Sequence, residues 1–156
     1  MRIGVISDSH GLFGCAVSVV NNMGDIEALI HAGDFYDDAI KLSEIFNIPV
    51  YTVPGNCDIS CEAPQELIVN LDGCKILITH GHLYHVKNTL RFLYNRAQEA
   101  NVQMVLFGHT HEPLFVTEKD ICFFNPGSLL PTIKTSASYG ILNVSSQGIT
   151  GELLEF

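Results

Sequence analysis

Residues 1–10, MRIGVISDSH, carry the pattern on which the chain is built: an apolar run from Ile3 to Ile6 stops abruptly at Asp8 and His10. A short run of branched apolar residues reads as a buried strand, and two side chains able to bind a metal follow it. The same order recurs four times. Ala28 to Ile30 leads to Asp34, Val50 to Val53 to Asn56, Ile76 to Ile78 to His80, and Met104 to Phe107 to His109 and His111. In open α/β sheets the loops leaving the carboxyl ends of the strands gather on one edge. Seven ligand-type residues spread from position 8 to position 111 are therefore expected to converge on one site. Asp8 and His10 are two residues apart, as are His109 and His111. In extended backbone such residues project to the same side, so each pair is expected to address that site together.

The segments between these strands read mostly as helices. Ala16, Val19, Val20 and Met23 recur at helical spacing, predicting a helix over about Cys15 to Met23. Ala39, Leu42, Ile45 and Phe46 predict a second, capped by Asp37 or Asp38 and ended by Asn47-Ile48-Pro49. Glu66 to Asn70 and Cys74 to Thr79 flank Asp72-Gly73 as a hairpin. A longer helix is expected over Val86 to Ala100. From Pro113 onward, four antiparallel strands are expected: Leu114 to Thr117, Ile121 to Phe124, Tyr139 to Val144 and Ile149 to Leu154. The fold class is α/β, with two packed mixed sheets flanked by helices in one domain over 1–156.

Composition excludes several function classes. With 156 residues and 47% hydrophobic content the chain can bury a substantial core, and no run of residues approaches a membrane span. A formal charge of -9 with only eight Lys and Arg argues against a nucleic-acid partner, whose phosphates must be met by basic side chains. Met1-Arg2-Ile3 enters a strand at once, which predicts a cytoplasmic protein without a signal peptide. The low charge leaves homo-oligomerisation open. Cys15, Cys57, Cys61, Cys74 and Cys122 are odd in number and lack paired C-x-x-C spacing, which disfavours disulfides and structural zinc. His31, inside an apolar strand, reads as a core residue. Asp37, Asp38 and Asp58 read as caps or solvated acids, and His85 as a solvent-facing helix start.

Carboxylate, imidazole and amide donors together suit divalent Mn, Fe, Zn, Co or Ni, and seven donors are too many for one tetrahedral ion. Two ions sharing Asp34 would use them all. The clusters Asp8-Ser9-His10, Gly33-Asp34, Gly55-Asn56-Cys57-Asp58, Thr79-His80-Gly81-His82, Gly108-His109-Thr110-His111 and Asn125-Pro126-Gly127-Ser128 resemble, over nearly the whole chain, the calcineurin-like metallophosphoesterases. Within them the likeness is to the small YfcE-type phosphodiesterases. The resemblance implies a four-layer sandwich and two divalent ions, Mn foremost. One would be held by Asp8, His10, Asp34 and His111, the other by Asp34, Asn56, His80 and His109.

By this resemblance the reaction is hydrolysis of a small phosphodiester by a metal-bridging hydroxide, with ions about 3.5 to 4 Å apart clamping the phosphoryl group. Two divalent ions less Asp8, Asp34 and hydroxide leave about +1, matching the single charge of a diester. Many relatives carry a histidine where this chain has Cys57. A thiol with a pKa near ~8.5 protonates an alkoxide poorly, so good leaving groups such as aryl alcohols are expected to be favoured. His82 is the substitute acid or phosphate contact, which gives Asp34, Asn56 and His82 as the catalytic set. Competing readings are a phosphomonoesterase or protein phosphatase and, from a different class, an interaction scaffold like the retromer subunit that shares this fold. Lys134 stands near the place where relatives carry a basic residue.

Overall fold

The computed structural model describes residues 1–133 and 135–156, so the expectation attached to Lys134 lies outside the described residues. Ten strands and three α-helices follow in chain order among them. The first half comprises β1 (Arg2–Ile6), α1 (Phe13–Asn22), β2 (Ala28–His31), α2 (Tyr36–Phe46), β3 (Val50–Thr52), β4 (Glu66–Leu71) and β5 (Cys74–Thr79). A 3-10 turn at His82–Tyr84 precedes α3 (Arg91–Ala100), β6 (Met104–Leu106), β7 (Leu114–Glu118), β8 (Ile121–Asn125), β9 (Ser138–Ser145) and β10 (Gly148–Glu155).

Two five-stranded mixed sheets result, ordered β10-β9-β1-β2-β3 and β4-β5-β6-β8-β7. In each, three neighbouring strands run parallel, namely β1, β2 and β3 in one and β5, β6 and β8 in the other. Their carboxyl ends therefore open on the same edge of each sheet.

Period-two alternation decides which residues face which layer. Ile3, Val5, Ala28, Ile30, Ile76, Ile78, Met104 and Leu106 form the core between the sheets. Their neighbours face outward. Ile6 and Leu29 meet Ala16, Val19, Val20 and Leu42 of α1 and α2, and Leu77, Val105 and Phe123 meet Leu93 and Ala97 of α3. The inner strands thus pack on both faces, giving the expected four layers. Burying one such Leu, Ile or Phe contributes about 1.5–3 kcal/mol. No helix among the described residues is long and apolar enough to cross a membrane.

Three local expectations are corrected. α1 starts at Phe13, two residues early. Neither Asp37 nor Asp38 caps α2: the Phe35 and Tyr36 amides donate to the Asp58 carboxylate at 2.9–3.1 Å, so the acid comes from the loop after β3. That places a negative charge at the positive end of the helix. The helix expected from Val86 starts five residues late: the chain leaves the 3-10 turn through a left-handed His85 (φ 53), and the Asn88 and Thr89 amides both turn back to donate to His85 O. α3 then begins at Arg91, whose amide donates to the Thr89 hydroxyl.

Candidate metal centre

The seven donor-type residues do gather at the strand ends, but not in extended backbone. Asp8 (φ 53), His10 (φ 46), Asp34 (φ 57), His109 (φ 68) and His111 (φ 61) are all left-handed, which corrects the reading of the two i, i+2 pairs. Tight turns, rather than a pleat, aim these side chains. A non-glycine residue there costs on the order of 1–2 kcal/mol, and the surrounding bonds hold each one in place. The Asp8 amide donates to Gly33 O at 2.9 Å, and Gly108 N to His80 O at 3.2 Å. The Asn125 side-chain amide donates to Gly108 O at 2.9 Å and to the Thr110 hydroxyl at 3.0 Å, and the Ser128 hydroxyl to Asp8 O at 3.0 Å. The Asn125-Pro126-Gly127-Ser128 turn is therefore a brace for both histidine-bearing loops.

The two oxygens of Asp8 differ sharply. Oδ2 accepts from the Ser7 hydroxyl and from the His109 amide at 3.1 Å. Oδ1 is buried and accepts no hydrogen bond, yet faces the Nε2 atoms of His111 at 3.0 Å, His10 at 3.8 Å and His80 at 4.0 Å. Asp34 turns its oxygens toward different imidazoles: Oδ2 lies 3.7 Å from His10 Nε2, and Oδ1 3.5 Å from His80 Nε2. The Cys57 amide steadies that Oδ1 at 2.9 Å. Gly55 lets this loop approach, since a Cβ there would overlap the Asp34 carboxylate.

His80 is buried, and its Nδ1–H donates to Ala32 O at 2.8 Å. Its Nε2 lone pair is thereby left facing Asn56 Oδ1 at 3.2 Å and the two carboxylates. His10 and His111 bring their Nε2 atoms within 3.3 Å of each other. Ligand atoms of Asp8, His10 and His111 lie mutually within 4.8 Å, as do those of Asp8, Asp34 and His80, and those of His10, Asp34 and Cys57. His109 belongs to none of these groups. Its ring sits against His80 at 5.1 Å and His82 at 6.1 Å between centroids. His82 stands beside the donors, 5.4 Å from His80, with Nδ1 buried and unpartnered.

The electrostatics suit a cation. Burial works to raise the Asp8 pKa, but contact with His111, the nearby His80 ring and the Ser7 hydroxyl outweigh it and hold the carboxyl low. Asp8 in turn lifts His111. Burial, reinforced by His80, pushes His109 down to about 4 and lowers His82, leaving both neutral near pH 7. Partial desolvation and the Asp34 carboxylate raise the Cys57 thiol to about 11. A buried carboxylate oxygen without a donor, faced by three imidazole nitrogens, is the arrangement a divalent ion satisfies and a dry polar site does not.

Sequence reading missed what lies beneath. Gly33 N–H donates to His31 Nδ1 at 3.3 Å, His31 Nε2–H to the Ser9 hydroxyl at 3.2 Å, and Ser9 to Asp38 at 2.7 Å. His31 is the core residue expected. Asp38, however, is a buried acceptor rather than a cap or solvated acid; its place on the inner face of α2, beside Ala39 and Leu42, was the available signal.

The chain matches the calcineurin-like phosphoesterase superfamily domain over residues 1–147 and belongs to that family of metal-dependent phosphoric ester hydrolases. It is 33% identical to probable metallophosphoesterase YsnB of Bacillus subtilis, covering 96% of this chain and 88% of that protein. Phosphodiesterase MJ0936 of Methanocaldococcus jannaschii is 28% identical over 99% of this chain and its own full length. A predicted phosphoesterase from Streptococcus pneumoniae superposes with a TM-score of 0.83 at 30% identity, covering 99% of this chain and 88% of that one. Vps29 of Entamoeba histolytica, solved with zinc, shares the fold at 18% identity and a TM-score of 0.79, with 99% of each chain covered.

Proposed function

We propose that this protein is a phosphodiesterase that hydrolyses small phosphodiesters with two divalent cations of the Mn, Fe, Co, Ni and Zn group. The observation that carries the reading is Asp8 Oδ1, buried, without a hydrogen bond and faced by three imidazole nitrogens. Asp8, His10, Asp34 and His111 would hold one ion, and Asp34, Asn56, His80 and His109 the other. Asp34 is suited to bridge because its two oxygens face different imidazoles. When bound, the ions supply charge neutralisation at the phosphoryl group and a water of lowered pKa as nucleophile.

The remaining work belongs to the protein. His80 is kept in one tautomer by Ala32 O, so its Nε2 lone pair never turns away. Asn56 presents its Oδ1 beside that nitrogen. His82, neutral near pH 7, donates a hydrogen bond to a phosphoryl oxygen rather than a proton to the leaving group. Cys57, a weaker acid here than a free cysteine, offers no proton either, so the leaving group must depart as a stable anion. Two divalent charges less two carboxylates and a hydroxide leave about +1, which favours the monoanionic diester over a dianionic monoester.

The test is hydrolysis of an aryl phosphodiester and the matched aryl monoester with Mn supplied. Faster diester turnover supports the reading. Preference for the monoester overturns it in favour of a phosphomonoesterase, and absent hydrolysis together with absent metal binding favours a scaffold.

A further inference from the structure

We infer that Cys57 is itself a metal donor, a soft ligand added to the four on the His10–Asp34 side of the centre, which biases the site toward thiophilic ions. The inference rests on the proposed two-cation site and adds a residue outside the seven. Its sulfur, a His10 ring nitrogen and an Asp34 oxygen lie mutually within 4.8 Å. Zinc takes sulfur at about 2.3 Å and imidazole nitrogen at 2.0–2.1 Å, so two donors of one ion stand at most about 4.4 Å apart. The gap asks for only a small turn of an exposed side chain.

Three further features aim the sulfur at the site. The Cys57 amide is anchored to Asp34 Oδ1 at 2.9 Å, which ties this backbone to the carboxylate proposed to bridge. Asn56 Nδ2 donates to the sulfur at 3.6 Å while Asn56 Oδ1 faces His80, so one amide orients the sulfur and an oxygen donor together. Asp8 Oδ1, fully buried and without a hydrogen bond, faces the Nε2 of the same His10 at 3.8 Å and independently marks the adjoining space as a cation's. As the sulfur engages a divalent ion, the S–H bond breaks, a sulfur–metal bond forms and the proton passes to buffer. A thiolate so engaged has no proton for a leaving group.

Soft sulfur favours Zn, Co and Cd over Mn and Mg, whereas the oxygen and imidazole donors discriminate less. The experiment loads full-length protein with Co and records its near-ultraviolet and visible spectrum for the parent and for Cys57→Ser, with Cd and Mn affinities measured in parallel. A sulfur-to-cobalt charge-transfer band in the parent and not in the variant is expected. So is a Cd affinity reduced at least tenfold by the substitution, with Mn affinity changed less than about threefold. Bound Co showing only ligand-field bands, or equal losses for Cd and Mn, overturns the role of Cys57 and leaves the two-cation site standing. Failure of the parent to bind Co at all overturns both. Cys57→Ala, which removes the donor without offering a hydroxyl, must behave as Cys57→Ser does; a retained band in either variant excludes this sulfur as its source.

Discussion

Lowering the pH should unfold the metal-free protein through His31, and the magnitude can be worked from its surroundings. Full burial, opposed only partly by the charges of Asp8 and Asp38, takes this histidine from its ordinary 6.5 to about 4 in the folded chain. The unfolded chain binds a proton below about 6.5, whereas the folded chain refuses it until about 4. Stability therefore stands in full above 6.5 and is lost as the pH falls through that window. At about 1.36 kcal/mol per unit the full loss is about 3 kcal/mol, of which about 2 kcal/mol is gone by about pH 5. Urea unfolding of chelator-treated protein at several pH values, compared with His31→Gln, isolates the contribution. The variant should begin less stable near pH 7, because the bonds to Gly33 and Ser9 are weakened, yet the gap should close by about 3 kcal/mol toward pH 4. Parallel curves for the two proteins would refute the assignment of a neutral, buried His31 beneath the site.

Gly55→Ala should lower metal affinity about 10–100-fold, the usual consequence of displacing a ligand's support, because the added Cβ enters the space of the Asp34 carboxylate; calorimetric titration with near-parental affinity would contradict this. Proton competition at His111, whose pKa Asp8 raises, should make metal affinity fall as the pH drops from about 8 to about 6. Affinity flat across that range would count against His111 as a ligand. Aryl phosphodiesters should be cleaved at least about 100-fold faster than matched alkyl diesters, the lower range of a missing general acid, and comparable rates would restore a proton donor. Asn125→Ala should destabilise the chain by about 1–3 kcal/mol in thermal or urea unfolding, by removing the bonds to Gly108 O and Thr110 and leaving the buried Gly127 amide without its acceptor; an unchanged midpoint would deny the turn its bracing role.

The sheet layout was legible because the strands are short apolar runs whose outward neighbours are also apolar, as burial on both faces demands. Ile3 and Val5 announce one interface and Ile6 the other. The donor set was legible for the same reason: each donor sits just after such a run. What escaped was conformation and support. Nothing in Asp8-Ser9-His10 distinguishes an extended pair from two left-handed residues, since hydrogen bonds from residues far along the chain impose that choice. The cap on α2 comes from Asp58, more than twenty residues away, and local propensity sees only Asp37 and Asp38. The late start of α3 likewise reflects tertiary packing, with Val86 seated against Gly81 in the turn before it, while the residues from Val86 form helix readily. Asn125 and Ser128 read first as turn formers, and their long-range partners belong to loops that meet only in the folded chain.

The most direct test of the dinuclear centre is metal stoichiometry. Apo-protein titrated with Mn, then freed of excess ion and subjected to elemental analysis, should hold two ions per chain, and Asp34→Asn should reduce the count at both positions rather than one. A parent chain that saturates with a single ion, or an Asp34→Asn chain that still holds two, would contradict the shared-carboxylate site.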